Sequence, residues 1–534
     1  MSKDDDLRWR LDLLKKALDD GKISVAPHLA EGVKSSLNAV QLGPDGLIDL
    51  STVDGRIRSM ALAVAGLHQR DETKNLISLH EVQRRYFEFI DHTFGDLHKF
   101  MRVKGTHAQA VAWMLSQDPE AVDANYRLIA PFMEQLTQFW STAGESCEYH
   151  IQDLRTIKGF FGGDLFPSYQ RNIASSTGLY LDTIILTDPF MNSRRMFELW
   201  EPAIAVRYFV KHGLNVLGYR DLALAELDPP IVVVVPFKSS FDENEAEQVM
   251  RMSELGVLSH GAALFGRSFT DIDDLHDFAD HLDTVEKAVA AIKRPDRFLI
   301  DTDWSGSVSE QITRAVNEKV LGVDIQHPGM ILFSQCTGRM RQATDVLLKS
   351  RNLLGTPLVE AETSWKYLNW KLEYDAVLSP GELVPLHMVK GLQRAGATDL
   401  EWIGDIPPEA LIEMRREGAL QEIREVISNG VAEVAEANPI NFFRSADRIV
   451  DNVQDAFAKH QENVRELRSK GLKFWGKDIG SWIVKGSIEI GAALAGTPVM
   501  GLAVLGVDQV LDSPKLNELP SRYRALQAAR VRTR

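Results

Sequence analysis

Acidic residues follow three of the most apolar runs in the sequence. Asp188 comes after "TIILT", Asp301 and Asp303 follow "RFLI", and Glu360 and Glu362 follow "TPLV". If these runs are parallel strands, their carboxyl ends meet at one edge of the sheet, where ligands bind in open α/β folds. Carboxylate oxygens are the ligands that Mg²⁺ and Mn²⁺ prefer, and such an ion activates water. We therefore predict that all five carboxylates are catalytic and that Asp301, Asp303 and Glu360 bind a Mg²⁺ or Mn²⁺ ion.

A structural interpretation of the same residues is also open. Asp and Glu after a strand commonly serve turns and caps, and the sequence does not give the order of the strands. The spacing of these carboxylates in space is therefore undetermined. A metal-dependent hydrolase, such as a nuclease, is accordingly an alternative and not the leading hypothesis.

Histidines with nearby carboxylates form two further candidates. Glu88, His92 and Asp96 are spaced four residues apart and share one face of a helix that continues through Gly95. Helical bundles build metal sites from such rows, but a polar face is the commoner meaning. His276 and His281 in "DDLHDFADH" are about 140° apart on a helix and make poor joint ligands. The isolated His260 is predicted to be structural.

Two short motifs are candidates for nucleic-acid or nucleotide chemistry. "RYFVKH", Arg207 to His212, resembles the Arg-x4-His motif of HEPN ribonucleases, and "RYFEFIDH", Arg85 to His92, is a looser version. The resemblance implies a compact helical dimer, whereas Tyr208 stands where that family commonly has a polar residue. "FFGGD" is glycine-rich but lacks the Gly-Lys-Ser/Thr of a phosphate-binding loop. None of these motifs identifies an activity.

The elements that would position these residues alternate between strands and helices. Short Val-, Ile- and Leu-rich runs predict a buried, mostly parallel sheet, and helical segments separate them. The predicted strands are "LYLDTIILTDPF", "PIVVVVPF", "RFLIDTDW", "MILFSQCTG" and "TPLVEAETSW", with "WKYLNWKLEYDAVL" as a further strand or hairpin partner. The fold class is therefore α/β, with a mostly parallel sheet body flanked by an N-terminal α-helical region and a C-terminal α-helical module.

The predicted organisation has four parts. The helical N-terminal region spans 1–150, in which leucines at helical spacing precede a glycine stop at Gly21 and a helix break falls near Asp118-Pro119. The α/β body spans 175–380, a helical region spans 381–475, and an apolar hairpin with a basic tail spans 476–534. The absence of a Gly/Ser linker indicates that these parts pack together.

The C-terminal part combines an apolar stretch with basic flanks. The uncharged run from Ile490 to Val507 is interrupted by "AGTPV", which combines a helix stop with a helix start and favours a buried helical hairpin. The flank "RELRSKGLKFWGK", from Arg465 to Lys477, mixes basic and aromatic residues as membrane interfaces do. Contact with a membrane through Arg465–Val507 is therefore the alternative to a buried or protein-docked hairpin.

Composition restricts the class of function. The chain has 534 residues, two cysteines and a net charge of -15, which argues against wholesale nucleic-acid binding and for a reducing compartment. The sequence predicts a cytoplasmic protein that is peripherally associated with a membrane if its tail binds one. The leading hypothesis is an intracellular interaction or effector protein that looks like those of bacterial defence or stress systems. Its α/β body would bind a protein partner, and its basic apolar tail would dock on a membrane or a protein.

Overall fold

The computed structural model describes most of the first 418 residues and short pieces thereafter. The described residues are 3–163, 172–240, 242–301, 304–317, 327–378, 401–418, 458, 461–462, 464–466, 468–469, 473–474 and 477–485. They divide into two compact units, one comprising residues 3–78 and the other beginning at Leu79. Of the predicted hairpin and basic tail, 476–534, residues 477–485 are described and residues 486–534 lie outside the described part of the chain.

The first unit contains three helices around a leucine-rich core. They are α1 (Lys3–Asp19), α2 (Pro27–Ala39) and α3 (Gly55–Asn75). Leu11, Leu14 and Leu18 are buried, as their helical spacing predicts. Gly21 has φ +65°, and the backbone N–H of Lys22 bonds to the carbonyl of Ala17 at 2.9 Å. The predicted glycine stop is therefore confirmed, because the left-handed backbone that ends α1 strains any residue with a Cβ.

The second unit begins with two long helices and a short helix between them. They are α4 (Leu79–Lys104), α5 (Ala108–Ser116) and α6 (Pro119–Asp153). The predicted break at Asp118-Pro119 is confirmed: the Asp118 carboxylate accepts the N–H of Glu120 at 3.0 Å, and Pro119 is the first residue of α6. These helices contribute to an aromatic cluster of stacked and edge-to-face rings, formed by Phe94, Phe132, Phe190 and Phe209.

A four-stranded parallel sheet lies within a mostly helical body. Its strands are β1 (Lys158–Phe161), β2 (Thr183–Thr187), β3 (Val232–Val235) and β4 (Thr356–Leu358), in the spatial order β3-β2-β1-β4. The predicted parallel sheet is confirmed, but it is small, and the described residues are mostly helical. The registers pair Phe160 with Ile185 and with Pro357, and Ile185 with Val233.

Helices connect the strands and pack around them. Between β1 and β3 lie α7 (Ile173–Thr177), α8 (Pro189–Asn192), α9 (Arg194–Leu199), α10 (Pro202–Leu217) and α11 (Arg220–Leu224). Between β3 and β4 lie α12 (Glu243–Phe265), α13 (Ile272–Asp280), α14 (Val285–Ala291), α15 (Val308–Asn317), α16 (Pro328–Ser334) and α17 (Met340–Asn352). After β4 come α18 (Glu362–Leu378), β5 (Glu401–Ile403), α19 (Pro408–Arg416), β6 (Lys473–Phe474), β7 (Lys477–Asp478) and β8 (Ile483–Lys485).

Three of the predicted strands are wrong. "MILFSQCTG" forms α16 and the π-helical turn Gln335–Arg339, and "WKYLNWKLEYDAVL" forms most of α18. "RFLI" is an irregular segment whose carbonyls accept hydrogen bonds from side chains. The Tyr367 hydroxyl donates to the Leu299 carbonyl at 2.8 Å, and the Arg339 guanidinium donates to the Ile300 carbonyl at 3.3 Å. These apolar runs are buried in a helical core around α12, α16 and α18, so they satisfy burial without joining the sheet.

Within the described ranges, no helix is both long and apolar enough to cross a bilayer.

Candidate functional site

The order of the strands places a topological switch point between β1 and β4. The chain passes from β1 to β2 to β3 on one side, and then returns to add β4 on the other side of β1. In open parallel sheets, ligands bind beyond the carboxyl ends of the strands at such a point. A ligand site is therefore expected at the carboxyl edge around β1.

Two glycines follow β1 at this switch point. The Gly162 N–H donates to the carbonyl of Leu358 at 3.1 Å, which ties the end of β1 to the end of β4. Gly163 has φ +85°, and a Cβ there would lie 2.9 Å from Val359 Cγ2. Both its backbone angle and its surroundings therefore require a glycine. Gly162 and Gly163 thus form a bend at the sheet edge, a context that the sequence alone does not give.

A cleft of about 280 Å³ opens at this edge. Segments that follow β1, β2 and β3 form three of its walls, and α17 forms the fourth. Its lining residues are Gly163, Met191, Asn192, Arg194, Arg195, Met196, Ser239, Ser240, Ala246, Val249, Met250, Ser253, Arg341, Gln342, Asp345 and Lys349. We call it the basic cleft, because four of its side chains are cationic and a single one is a carboxylate.

The single carboxylate of the basic cleft is already paired. Asp345 Oδ2 lies 2.6 Å from Lys349 Nζ, and that ammonium also lies 4.2 Å from the centroid of the Phe237 ring. Arg194, Arg195 and Arg341 make no ion pair with a carboxylate in the described part of the chain. Among the residues that the structure describes, the cleft therefore carries three guanidinium charges without an ion pair.

Arg341 is the most constrained of these cations. It is half-buried, its Nε atom is buried, and no acceptor for Nε occurs among the described residues. Burial lowers the pKa of the Arg341 guanidinium, because a partly desolvated charge is disfavoured. A half-buried cation without a counter-charge is costly, and an anion in the cleft would relieve that cost.

Asp188 follows β2 as predicted but has a structural environment. It caps α8 by accepting the N–H groups of Phe190 at 2.8 Å and Met191 at 3.1 Å, and it accepts Trp140 Nε1 at 2.6 Å. Burial raises the pKa of the Asp188 carboxyl to about 6, although these hydrogen bonds act in the opposite direction. The side chain is fully buried and does not line the basic cleft.

The other predicted carboxylates lie in different settings. Asp301 follows no strand, because "RFLI" is irregular, and Asp303 lies outside the described residues. Glu360 does follow β4. Burial raises the pKa of the Tyr219 hydroxyl, and the negative charge of Glu360 raises it further. Glu362 begins α18 and lies 3.4 Å from Lys366.

In the ranges that the structure describes, no three His, Cys, Asp or Glu side chains are placed to hold a metal ion. Because the predicted ligand set includes Asp303, the Mg²⁺ or Mn²⁺ site stays a prediction.

The histidine-containing candidates have ordinary surroundings. Glu88, His92 and Asp96 all lie on α4, which does continue through Gly95, and all three are exposed. Glu88 pairs with Arg84 at 2.5 Å, as expected of a solvated polar face. His281 Nδ1 lies 2.6 Å from the carbonyl of Asp277, at the end of α13.

His260 and the Arg-x4-His motif are also explained by packing. His260 is buried, and its Nδ1 lies 3.0 Å from the Tyr374 hydroxyl. Arg207 and His212 lie on α10 in different environments: Arg207 stacks on the exposed Trp113 at 5.8 Å, whereas His212 is buried with Nε2 3.3 Å from Ser193 Oγ. They do not share an exposed site.

Sequence reasoning missed the cations of the basic cleft. Arg194 and Arg195 begin α9, and Arg341 and Lys349 lie about 150 residues later on α17. The available signal was the glycine pair after "KGFF", but that run was not recognised as a strand. Comparison with models of protein families, with curated protein sequences and with solved structures finds no match.

Proposed function

We propose that this chain is an interaction or effector protein whose α/β unit binds a small phosphate-bearing ligand in the basic cleft. The observation that carries the proposal is the convergence of Arg194, Arg195 and Arg341 without carboxylate partners among the described residues. The sequence predicts a protein partner for the α/β body. The proposed ligand of that body is a small anion instead. A protein partner would then bind the C-terminal tail and not the cleft.

The chemistry of the cleft suits phosphate better than a carboxylate or a neutral ligand. Guanidinium groups bind phosphate oxygens in pairs of parallel hydrogen bonds and are weakly hydrated, so desolvation costs them less than it costs lysine. The hydroxyls of Ser239 and Ser240 line the same cleft and offer further donors. Three charges are more than a monovalent carboxylate neutralises, whereas phosphate carries close to two.

The predicted tail supplies the effector part of the proposal. Ligand binding in the cleft would be the signal that the protein senses. Docking of Arg465–Val507 on a membrane or a protein would be its response. Flotation on anionic liposomes separates these targets when the full chain is compared with a chain ended at Gly471. Flotation of the full chain alone supports a membrane target, and failure of both to float leaves a protein as the target.

Isothermal titration calorimetry with pyrophosphate tests the cleft. A charge-assisted hydrogen bond contributes about 1.5–3 kcal/mol, so Arg341→Met should weaken binding by about 10- to 150-fold. Arg251→Met is the matched control, because Arg251 is an exposed arginine on α12 that pairs with Glu247 at 3.7 Å and does not line the cleft. Equal affinity for the wild type and Arg341→Met, or no heat with any phosphate compound, would refute the proposal.

A further inference from the structure

A second cavity of about 580 Å³ lies beside the basic cleft, between α6 and α9. Its lining residues are Tyr126, Ile129, Ala130, Met133, Glu134, Thr137, Gln138, Arg194, Phe197 and Glu198. We call it the α6 groove. Its volume is typical of a site for a small organic molecule, and its walls are a mixture of apolar, aromatic and polar side chains.

The α6 groove and the basic cleft are neighbours. Arg194 lines both cavities, so its side chain is part of a common wall. A second contact joins the walls: Thr137 Oγ1, in the groove, lies 3.9 Å from the sulfur of Met191, which lines the cleft. The two cavities are therefore adjacent, with Arg194 on the boundary between them.

The two cavities differ in charge. The basic cleft has four cationic side chains and one carboxylate, whereas the α6 groove has the two carboxylates of Glu134 and Glu198 and shares one cation, Arg194, with the cleft. The groove therefore disfavours a second anion and favours a group that donates hydrogen bonds. A ligand that fits both cavities has an anionic end and a flat or apolar end that carries N–H donors.

We propose that this ligand is a nucleotide, with its phosphate in the basic cleft and its base in the α6 groove; this inference rests on the proposed function. Tyr126 is 40% exposed at the groove, so its ring face is accessible for stacking on a base. Glu134 accepts the N–H groups of a base, and the Gln138 amide both donates and accepts. A fatty acyl chain suits the groove poorly, because it would leave the polar groups of Glu134, Thr137 and Gln138 without partners.

Calorimetry on the full chain tests the base and the phosphate separately. The ligands are inorganic phosphate, ribose 5-phosphate, and the monophosphates AMP, GMP, CMP and UMP. Stacking and recognition of a base should make at least one nucleotide bind about tenfold or more tightly than ribose 5-phosphate. Tyr126→Ala should remove that gain and leave the binding of inorganic phosphate unchanged, whereas Arg341→Met should weaken every ligand.

The control variant is Tyr149→Ala, on the same helix. The Tyr149 hydroxyl contacts Glu145 at 2.8 Å and does not line the groove, so this change should leave the preference for the nucleotide intact. If phosphate binds but no nucleotide binds more tightly than ribose 5-phosphate, the nucleotide inference is wrong and the proposed function stands. Tighter binding of dodecyl phosphate than of every nucleotide would also overturn it, whereas failure of all phosphate compounds to bind removes both proposals.

Discussion

The clearest test of the fold is a change at Gln83, a buried side chain on α4. Its Nε2 donates to the carbonyl of Val234 at 2.9 Å, and its Oε1 accepts the N–H of Val234 at 2.8 Å. Val234 lies in β3, which is the edge strand of the four-stranded sheet. Gln83 therefore supplies the hydrogen bonds that a further strand would supply, and it closes an edge that is otherwise a site for association with other chains.

Gln83→Leu keeps the size of the side chain and removes both hydrogen bonds. Each buried backbone group left without a partner costs about 1–3 kcal/mol. The Cys147 sulfur remains 3.8 Å from the Val234 carbonyl, so that oxygen keeps a weak donor while the N–H keeps none. Added apolar surface returns about 1 kcal/mol, and we therefore expect a net loss of about 3 kcal/mol.

Hydrogen exchange measured by mass spectrometry reports this loss at the strand itself. A loss of about 3 kcal/mol in the free energy of opening accelerates exchange of the Val234 amide by on the order of 10²-fold. Gln135→Leu is the control, because Gln135 is exposed on α6 and the substitution is the same. Unchanged protection of residues 231–237 in Gln83→Leu would refute the assignment of Gln83 as the partner of the edge strand.

The remaining predictions concern titration and metal binding. Burial lowers the pKa of His260 to about 3, below its usual 6.5, so the unfolded chain gains the proton first and stability falls as the pH drops from 6.5 towards 3. His260→Phe should therefore remove about 2 kcal/mol of the stability lost between pH 7 and pH 5 in urea unfolding, and the exposed His80→Phe should not. Trp140→Phe removes a hydrogen-bond donor to the Asp188 carboxylate. The free energy of unfolding should fall by about 2 kcal/mol at pH 7 and by less at pH 5, where Asp188 is protonated. Equal losses at both pH values would contradict the assignment of Trp140 as a donor to the ionised carboxylate. If the predicted metal site exists, Mg²⁺ or Mn²⁺ raises the melting temperature and Asp301→Asn abolishes that gain, whereas an unchanged melting curve removes the main support for a hydrolase.

Local sequence signals determined the elements whose boundaries depend on neighbouring residues. The leucine spacing and Gly21 define α1, and Asp118-Pro119 defines the start of α6, because capping and backbone conformation act within one helical turn. The valine run of β3 and the alternation of strands with helices predict a parallel sheet. These properties need no knowledge of what the elements pack against.

Tertiary structure decided which apolar runs join the sheet. A short apolar run satisfies burial equally well as a strand or as a buried helix, so "MILFSQCTG" becomes helical in a helical core. The sequence did not predict β1, because this strand begins with a lysine and lysine is rarely buried. Lys158 is buried there because its ammonium donates to the carbonyl of Ile151 at 2.8 Å, at the end of α6.

The candidate site is likewise a product of the tertiary structure. Gly163, Arg194, Ser239 and Arg341 are far apart in sequence and meet because the carboxyl ends of β1, β2 and β3 lie side by side with α17. No local pattern marks Arg341 as different from other arginines on helices. What distinguishes it is partial burial without a carboxylate among the described residues, and burial is set by packing between segments that the sequence does not place together.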